Sequence, residues 1–180
     1  MKALIVIDFT NDFIDGSLPV GQPGIDIASR VNQLTEQFVK SGDFVVMAVD
    51  LHEANDSYHP ESRLFPPHNL RGSRGRELYG ELHNVYEANQ KDIYWMDKTR
   101  YSAFSGTELE LKLRERGIAE LHLIGVCTDI CVLHTAVDAY NKGFEIIIHE
   151  DAVASFNADG HVWALGHFRG SLGAKVVTAK

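Results

Sequence analysis

The sequence predicts an α/β fold in which helices cover both faces of a parallel β-sheet. Three observations lead to it. Short apolar runs, too continuous for strands with one wet face, recur along the chain. Between them stand segments with apolar residues at spacings of three and four, the signature of a helix face. No repeat, low-complexity tract or linker breaks the alternation, so residues 1–180 read as one domain.

The elements follow in order. Residues 3–7 form a continuous apolar strand. Pro23-Gly24 opens a helical pattern carrying Ile27, Val31, Leu34 and Phe38, which Gly42 closes. Residues 44–49 are a second buried strand. The stretch from Leu51 to about Asn84, rich in His, Pro, Asn and Gly, reads as irregular. Residues 92–96 make a third, shorter strand. Ser105-Gly106-Thr107-Glu108 fits a capping box, with Leu109 and Leu113 on one helix face and Gly117 as the stop. Residues 121–126 are a fourth strand. From Ile130 onward Leu133, Ala136, Val137 and Tyr140 mark a helix that ends at Gly143. Residues 144–148 form the next strand, a last helix lies near Asp159 to Leu172, and residues 175–178 close the set.

Composition narrows the function. Hydrophobic content of 44% with 23% charged residues describes a globular protein. A net charge of −8, from 17 basic and 25 acidic residues without a basic stripe, argues against nucleic acid or anionic membranes as partners. The N-terminal apolar run is too short for a signal peptide, and no stretch is long enough to span a bilayer. Two cysteines four residues apart make no disulfide framework, so a reducing cytoplasm is the expected location. A homo-oligomer is compatible with all of this.

In open parallel sheets ligands bind beyond the carboxyl ends of the strands. The first strand ends at Asp8, and the second at Asp50 with His52 two residues on. The third ends at Asp97-Lys98, and the fourth runs into Gly125-Val126-Cys127-Thr128-Asp129-Ile130-Cys131. That turn sets Cys131 in the first turn of a helix, where free N–H groups and the dipole favour a thiolate. Taken alone, Asp8 reads as a cap, Lys98 as a loop charge and Cys131 as a small buried hydrophobe. Their arrival at one edge is what points to chemistry.

Asp50 and His52 point the same way along an extended chain and can share one ion. Pro66-Pro67-His68 offers a second imidazole on a stiff backbone, and Glu61 a second carboxylate. Two histidines with one or two carboxylates form a catalytic rather than a structural metal pattern. His59, Asp56 and Glu53 are competitors that spacing does not exclude. His83, His122, His134, His149, His161 and His167 show no such grouping and read as structural or exposed.

Asp8, Lys98 after Trp95-Met96-Asp97, and the G-V-x-T-D-x-C turn ending in Cys131 resemble the isochorismatase-like cysteine hydrolases. Asp50-Leu51-His52, His59-Pro60-Glu61, Phe65-Pro66-Pro67-His68 and Lys98 to Phe104 are similar to the nicotinamidases within that superfamily. The resemblance runs from Ala3 to about Lys175 and implies a Rossmann-like three-layer fold with a six-stranded parallel sheet. It implies Cys131 as nucleophile, Asp8 as proton carrier, and Lys98 as the cation that orients Asp8 and favours the thiolate. It implies an oxyanion hole from the backbone N–H groups of Cys127 and Cys131, with a cis peptide between Val126 and Cys127. The implied cofactor is a divalent metal, Zn2+ first with Fe2+ or Mn2+ as alternatives, on Asp50, His52, His68 and Glu61. No organic cofactor is implied. The implied substrate is nicotinamide, with pyrazinamide beside it, and Phe13, Trp95 and Tyr101 are the aromatic candidates for the ring pocket. Two other readings are another small-amide or carbamoyl hydrolase of the superfamily, and a redox or metal sensor built on Cys127 and Cys131.

Overall fold

The computed structural model describes residues 1–179. Its centre is a six-stranded sheet in the order β3-β2-β1-β4-β5-β6. The strands are β1 (Ala3–Ile7), β2 (Phe44–Asp50), β3 (Ile93–Lys98), β4 (Glu120–Val126), β5 (Glu145–Ala154) and β6 (Lys175–Val177). Every pairing is parallel. The central strands are apolar at nearly every position because both of their faces are covered. On one face α3 (Ala28–Lys40) and α4 (Glu81–Ala88) set Val31, Leu34, Phe38 and Leu82 against Leu4, Val6, Val45 and Met47. The short α1 (Asn11–Ile14) joins them, and α2 (Gln22–Asp26) precedes α3. On the other face α5 (Leu109–Arg114), α6 (Leu133–Asn141) and α7 (Ala158–Gly170) set Leu113, Ala136, Ala139 and Phe168 against Ile5, Ile7, Leu123 and Ile148. Each large aliphatic side chain so buried contributes about 1.5–3 kcal/mol. Among the described residues no helix is long and apolar enough to cross a membrane.

Three details depart from the expectations. Helix α4 falls partly within the stretch read as irregular; only Leu82 and Val85 of its residues are buried, too few for a visible periodicity. The capping box does not form. Gly106 turns the chain at a φ of 72°, and Thr107, not Ser105, accepts the Leu109 N–H at 3.3 Å. The Glu108 carboxylate instead takes the Tyr94 hydroxyl. Strand β5 runs six residues past Ile148, because its polar segment His149-Glu150-Asp151 continues in extended form while the register against β4 shifts between Leu123 and Gly125.

Gly125 sits at that shift with a φ of 110°, and a Cβ there would fall 2.0 Å from the Ile7 carbonyl oxygen. Only glycine lets β4 lie this close to β1 one residue before Asp8 and two before Cys127.

Candidate active site

The strand order lines up the groups at the carboxyl edge. Lys98 closes β3, Asp50 closes β2, Asp8 follows β1 and Cys127 follows β4. Asp8 has a φ of 54°, a conformation aspartate tolerates better than most residues. Its N–H donates to the Ala48 carbonyl at 3.0 Å, and its Oδ1 accepts the Asp50 N–H at 2.8 Å. Lys98 is fully buried. Its Nζ lies 2.7 Å from Asp8 Oδ2, 3.6 Å from Asp50 Oδ1 and 3.7 Å from Cys131 Sγ, and it donates to the Arg100 carbonyl at 3.1 Å. The Asp8 carboxylate also acts on the Cys131 thiol, its negative charge opposing ionisation of the sulfur. One ammonium thus joins two carboxylates and a thiol.

The turn carrying the thiol is wider than an ordinary first helical turn. Thr128–Val132 make a π-helical turn that runs into α6, and the Cys127 carbonyl accepts the N–H groups of both Ile130 and Val132 at 3.1 Å. The Val126–Cys127 peptide is cis. The two thiols differ in surroundings. Cys127 faces the Phe156 N–H and the Ser155 hydroxyl, and burial pushes it up to about 12.

Protonation in the site is decided by burial against charge. Burial raises Cys131 well above the usual thiol range, and Lys98 offsets this only in part. The resting group is therefore a thiol, not the thiolate expected from its helix position: desolvation outweighs the dipole and the ammonium. Burial likewise lifts Asp8 to about 6 although Lys98 lowers it. Burial would raise Asp50 as well, but Lys98, the His52 hydrogen bond and the nearby His68 imidazole hold it well below the usual carboxylate range. At neutral pH the site holds an ionised carboxylate next to a protonated thiol.

Asp50 has a second set of neighbours. Single ligand atoms of Asp50, His52, Glu61 and His68 lie within 4.8 Å of one another. His52 Nε2 is 2.7 Å from Asp50 Oδ2, and His68 Nε2 is 3.6 Å from the same oxygen and 3.5 Å from Glu61 Oε2. His68 Nδ1 is 2.8 Å from the Pro66 carbonyl, which fixes a proton there and leaves Nε2 as a buried atom without a hydrogen-bond partner. Burial would lower the His68 imidazole, but Asp50, Glu61 and the Pro66 carbonyl raise it to about 10. The pair of carboxylates calls for a positive charge, which a proton or a metal ion can provide. A divalent ion with nitrogen and oxygen ligands fits this donor set. Of the competitors, His59 turns aside: its Nδ1 accepts the Glu61 N–H at 3.2 Å, and its Nε2 meets the Thr99 carbonyl at 2.8 Å.

Beside the thiol lies a cleft lined by Phe13, Tyr101, Ile130, Phe156, Cys127 and Cys131, with Leu18, Phe65 and Glu61 at its side. Its free volume is about 20 Å³, room for about one water. A groove of about 550 Å³ runs beside it along His52, His59, Glu61, Phe65 and His68. Of the three aromatic candidates, Phe13 and Tyr101 line the cleft. Trp95 does not line the cleft. On its strand it alternates with the buried Met96 and turns toward Tyr86 and Arg76, and its indole N–H donates to Asp97 at 2.8 Å. Ile130 and Phe156 were legible only as an apolar helix position and a loop residue. His122 and His149 do pair: they are buried, with His122 Nδ1 2.8 Å from His149 Nε2 and His122 Nε2 2.9 Å from Glu120. They lie on neighbouring strands, so strand register was needed to find them.

Comparison with known proteins fits this geometry. The isochorismatase domain model matches residues 2–180. An uncharacterized isochorismatase family protein, PncA, of Bacillus subtilis (strain 168) is 62% identical over 179 residues, covering 97% of this chain and 98% of its own. The crystal structure of a nicotinamidase/pyrazinamidase, PncA, from Bacillus subtilis superposes with a TM-score of 0.96 at 62% identity, over 98% of this chain and 100% of the other. A pyrazinamidase of Pyrococcus horikoshii in complex with zinc superposes with a TM-score of 0.88 at 29% identity, over 99% of both chains.

Proposed function

This chain belongs to the isochorismatase family, and from that premise we propose that it is a nicotinamidase, converting nicotinamide and water to nicotinate and ammonia. The observation that supports the reading most directly is the contact between two clusters. Lys98 reaches Asp8, Cys131 and Asp50, and Asp50 also belongs to the His52, Glu61 and His68 set. A thiol for acyl transfer then lines the cleft, and a polar anchor for a ring lines the groove beside it, with Glu61 on both. Hydrolysis of nicotinamide places the protein in pyridine nucleotide salvage, and pyrazinamide is the second expected substrate.

The chain's own groups carry the steps. Cys131 attacks the carboxamide carbon while its proton passes to Asp8, the ionised carboxylate beside it. Asp8 returns that proton to the amide nitrogen, the C–N bond breaks, and ammonia leaves a thioester on Cys131. Water gives its proton to Asp8 as its oxygen attacks the thioester carbon. The C–S bond then breaks, nicotinate departs and the thiol regains its proton. Lys98 keeps Asp8 ionised and oriented, and the backbone N–H groups of Cys127 and Cys131 stabilise the oxyanion in both halves. A divalent ion on Asp50, His52, His68 and Glu61, Zn2+ first with Fe2+ or Mn2+ as alternatives, would supply a Lewis-acid anchor for the pyridine nitrogen. Phe13 and Tyr101 hold the ring, and the narrow cleft requires the aromatic walls to part for substrate.

Ammonia release from four amides tests the reading. Nicotinamide and pyrazinamide carry a ring nitrogen meta to the carboxamide and should be hydrolysed. Benzamide lacks that nitrogen and picolinamide has it one position nearer. Both should lose about a hundredfold in kcat/KM through misplacement. Equal rates on nicotinamide and benzamide would make the protein a general amidase, and no ammonia from any of them would refute the hydrolase reading.

A further inference from the structure

Asn69 follows His68 and is fully buried with a φ of 44°. Its N–H donates to Asp12 Oδ2 at 2.8 Å, its Oδ1 accepts the Thr10 hydroxyl at 2.9 Å, and its carbonyl accepts the His52 N–H at 3.1 Å. One residue therefore sets the backbone at both imidazoles of the metal set. Thr10 and Asp12 belong to the segment that leaves β1 just after Asp8, so the hold crosses from that strand to the His52 and His68 loop.

Asp12 is shaped for this contact. Its carboxylate is buried and accepts two backbone N–H groups, those of Asn69 and of Ser17, the latter at 3.2 Å. Glycines press on it from two sides. A Cβ at Gly75 would fall 2.1 Å from Oδ2, and one at Gly16 would fall 2.7 Å from Oδ1. A carboxylate that only closed the turn after α1 would need Ser17 and nothing more. The contact to Asn69, 57 positions away, is not demanded by local structure.

We propose that Asp12 is a positioning residue for the metal centre: with Thr10 it fixes the Asn69 peptide, and through it the placement of His52 and His68. The inference rests on the reading that Asp50, His52, Glu61 and His68 hold a divalent ion. Outer partners of metal ligands typically govern affinity by 10–100-fold when they are lost.

Asp12→Asn keeps the shape but replaces one acceptor oxygen with an amide NH2 that meets a backbone N–H. Metal-free wild type, Asp12→Asn and His68→Ala are titrated with Zn2+ against a chromophoric chelator, with His68→Ala marking zinc taken up elsewhere. Melting of each metal-free protein is followed by circular dichroism. The expected result is a zinc Kd raised about 10–100-fold in Asp12→Asn, with nicotinamide turnover recovering at high zinc. A merely structural carboxylate would lower the melting temperature and leave the zinc Kd at its wild-type value, and that result would overturn the proposal. If Asp12→Asn does not fold, Thr10→Val removes only the hydroxyl. It should weaken zinc several-fold, and an unchanged Kd overturns the proposal equally. Wild type binding zinc no better than His68→Ala would show in that protein alone, and would remove the metal reading with the inference built on it.

Discussion

Replacing Asp8 by asparagine should move the reactivity of the thiol and the turnover of the enzyme in opposite directions. Cys131 is held above the usual thiol range by burial, and the Asp8 carboxylate raises it further while Lys98 lowers it. Lys98 Nζ is 3.7 Å from the sulfur, which at an effective dielectric of about 20 is an attraction of about 4.5 kcal/mol for a thiolate. In the wild type the Asp8 carboxylate, 2.7 Å from that ammonium, cancels much of it. Without the carboxylate's charge the thiol pKa should fall, because the ammonium's attraction for the thiolate is no longer cancelled. The gain in thiolate is offset only in part by the lower nucleophilicity of a more acidic thiol, so alkylation at pH 7 should be about tenfold faster or more. Iodoacetamide labelling followed by mass spectrometry reads this, and Cys127, pushed up to about 12, stays silent at that pH. Ammonia release should meanwhile fall by 10²–10⁴ for want of a proton carrier. Slower alkylation in Asp8→Asn would show that the carboxylate sustains a resting thiolate, and retained turnover would remove it from proton transfer.

Three further perturbations follow from the same geometry. Cys131→Ala should lower kcat by several orders of magnitude, whereas Cys127→Ser, whose side chain faces Ser155 and Phe156, should be mild; the reverse outcome would place the nucleophile four residues earlier. Lys98→Met leaves buried carboxylates unpaired and should cost about 3–5 kcal/mol in urea unfolding at pH 7. The loss should shrink at pH 5: Asp8, already at about 6, rises further without the ammonium. A carboxyl raised above its unfolded value binds more protons folded, so its stabilisation is present in acid and disappears as pH rises through the folded value. His149 is depressed to about 4 by burial and by His122, so the folded protein binds fewer protons than the unfolded chain between that value and 6.5. Stability should therefore fall as pH drops through this window, and His149→Gln should spare about 2 kcal/mol of that loss at pH 4.5; parallel pH profiles for the two proteins would refute it.

Much of the site was legible because parallel strands announce their ends. Asp8, Asp50 and Lys98 each follow an apolar run, and a sheet edge gathers whatever those positions carry. Cys131 was legible as the end of a glycine-led turn into a helix, but its protonation was not, since that depends on depth of burial. Trp95 misled because an aromatic on an edge strand has two sides to choose from, and α4 supplied the other one. Glu61 and His68 lie in a stretch without periodicity, so spacing alone left them among several candidates. Asp12, Asn69 and the His122–His149 pair act across long stretches of sequence, and no local pattern marks such partners. Helix α4 buries too few residues to show a period, and the capping box gave way to turn geometry at Gly106, whose positive φ sets that boundary.

The central place of β1 has a consequence for how activity arises during folding. Its pairing with β2 joins segments about 40 residues apart, whereas its pairing with β4 closes a loop of more than a hundred residues. Long-range parallel pairing comes at a high entropy of closure and tends to be slow. Asp8 and Lys98 can meet once β1, β2 and β3 have assembled, but Cys131 joins them only with β4. In refolding from urea, recovery of ammonia release should therefore trail the burial of the β1–β2 half of the sheet. A partly folded chain would present the carboxylate and the ammonium without the sulfur they serve, compact in one half and chemically inert.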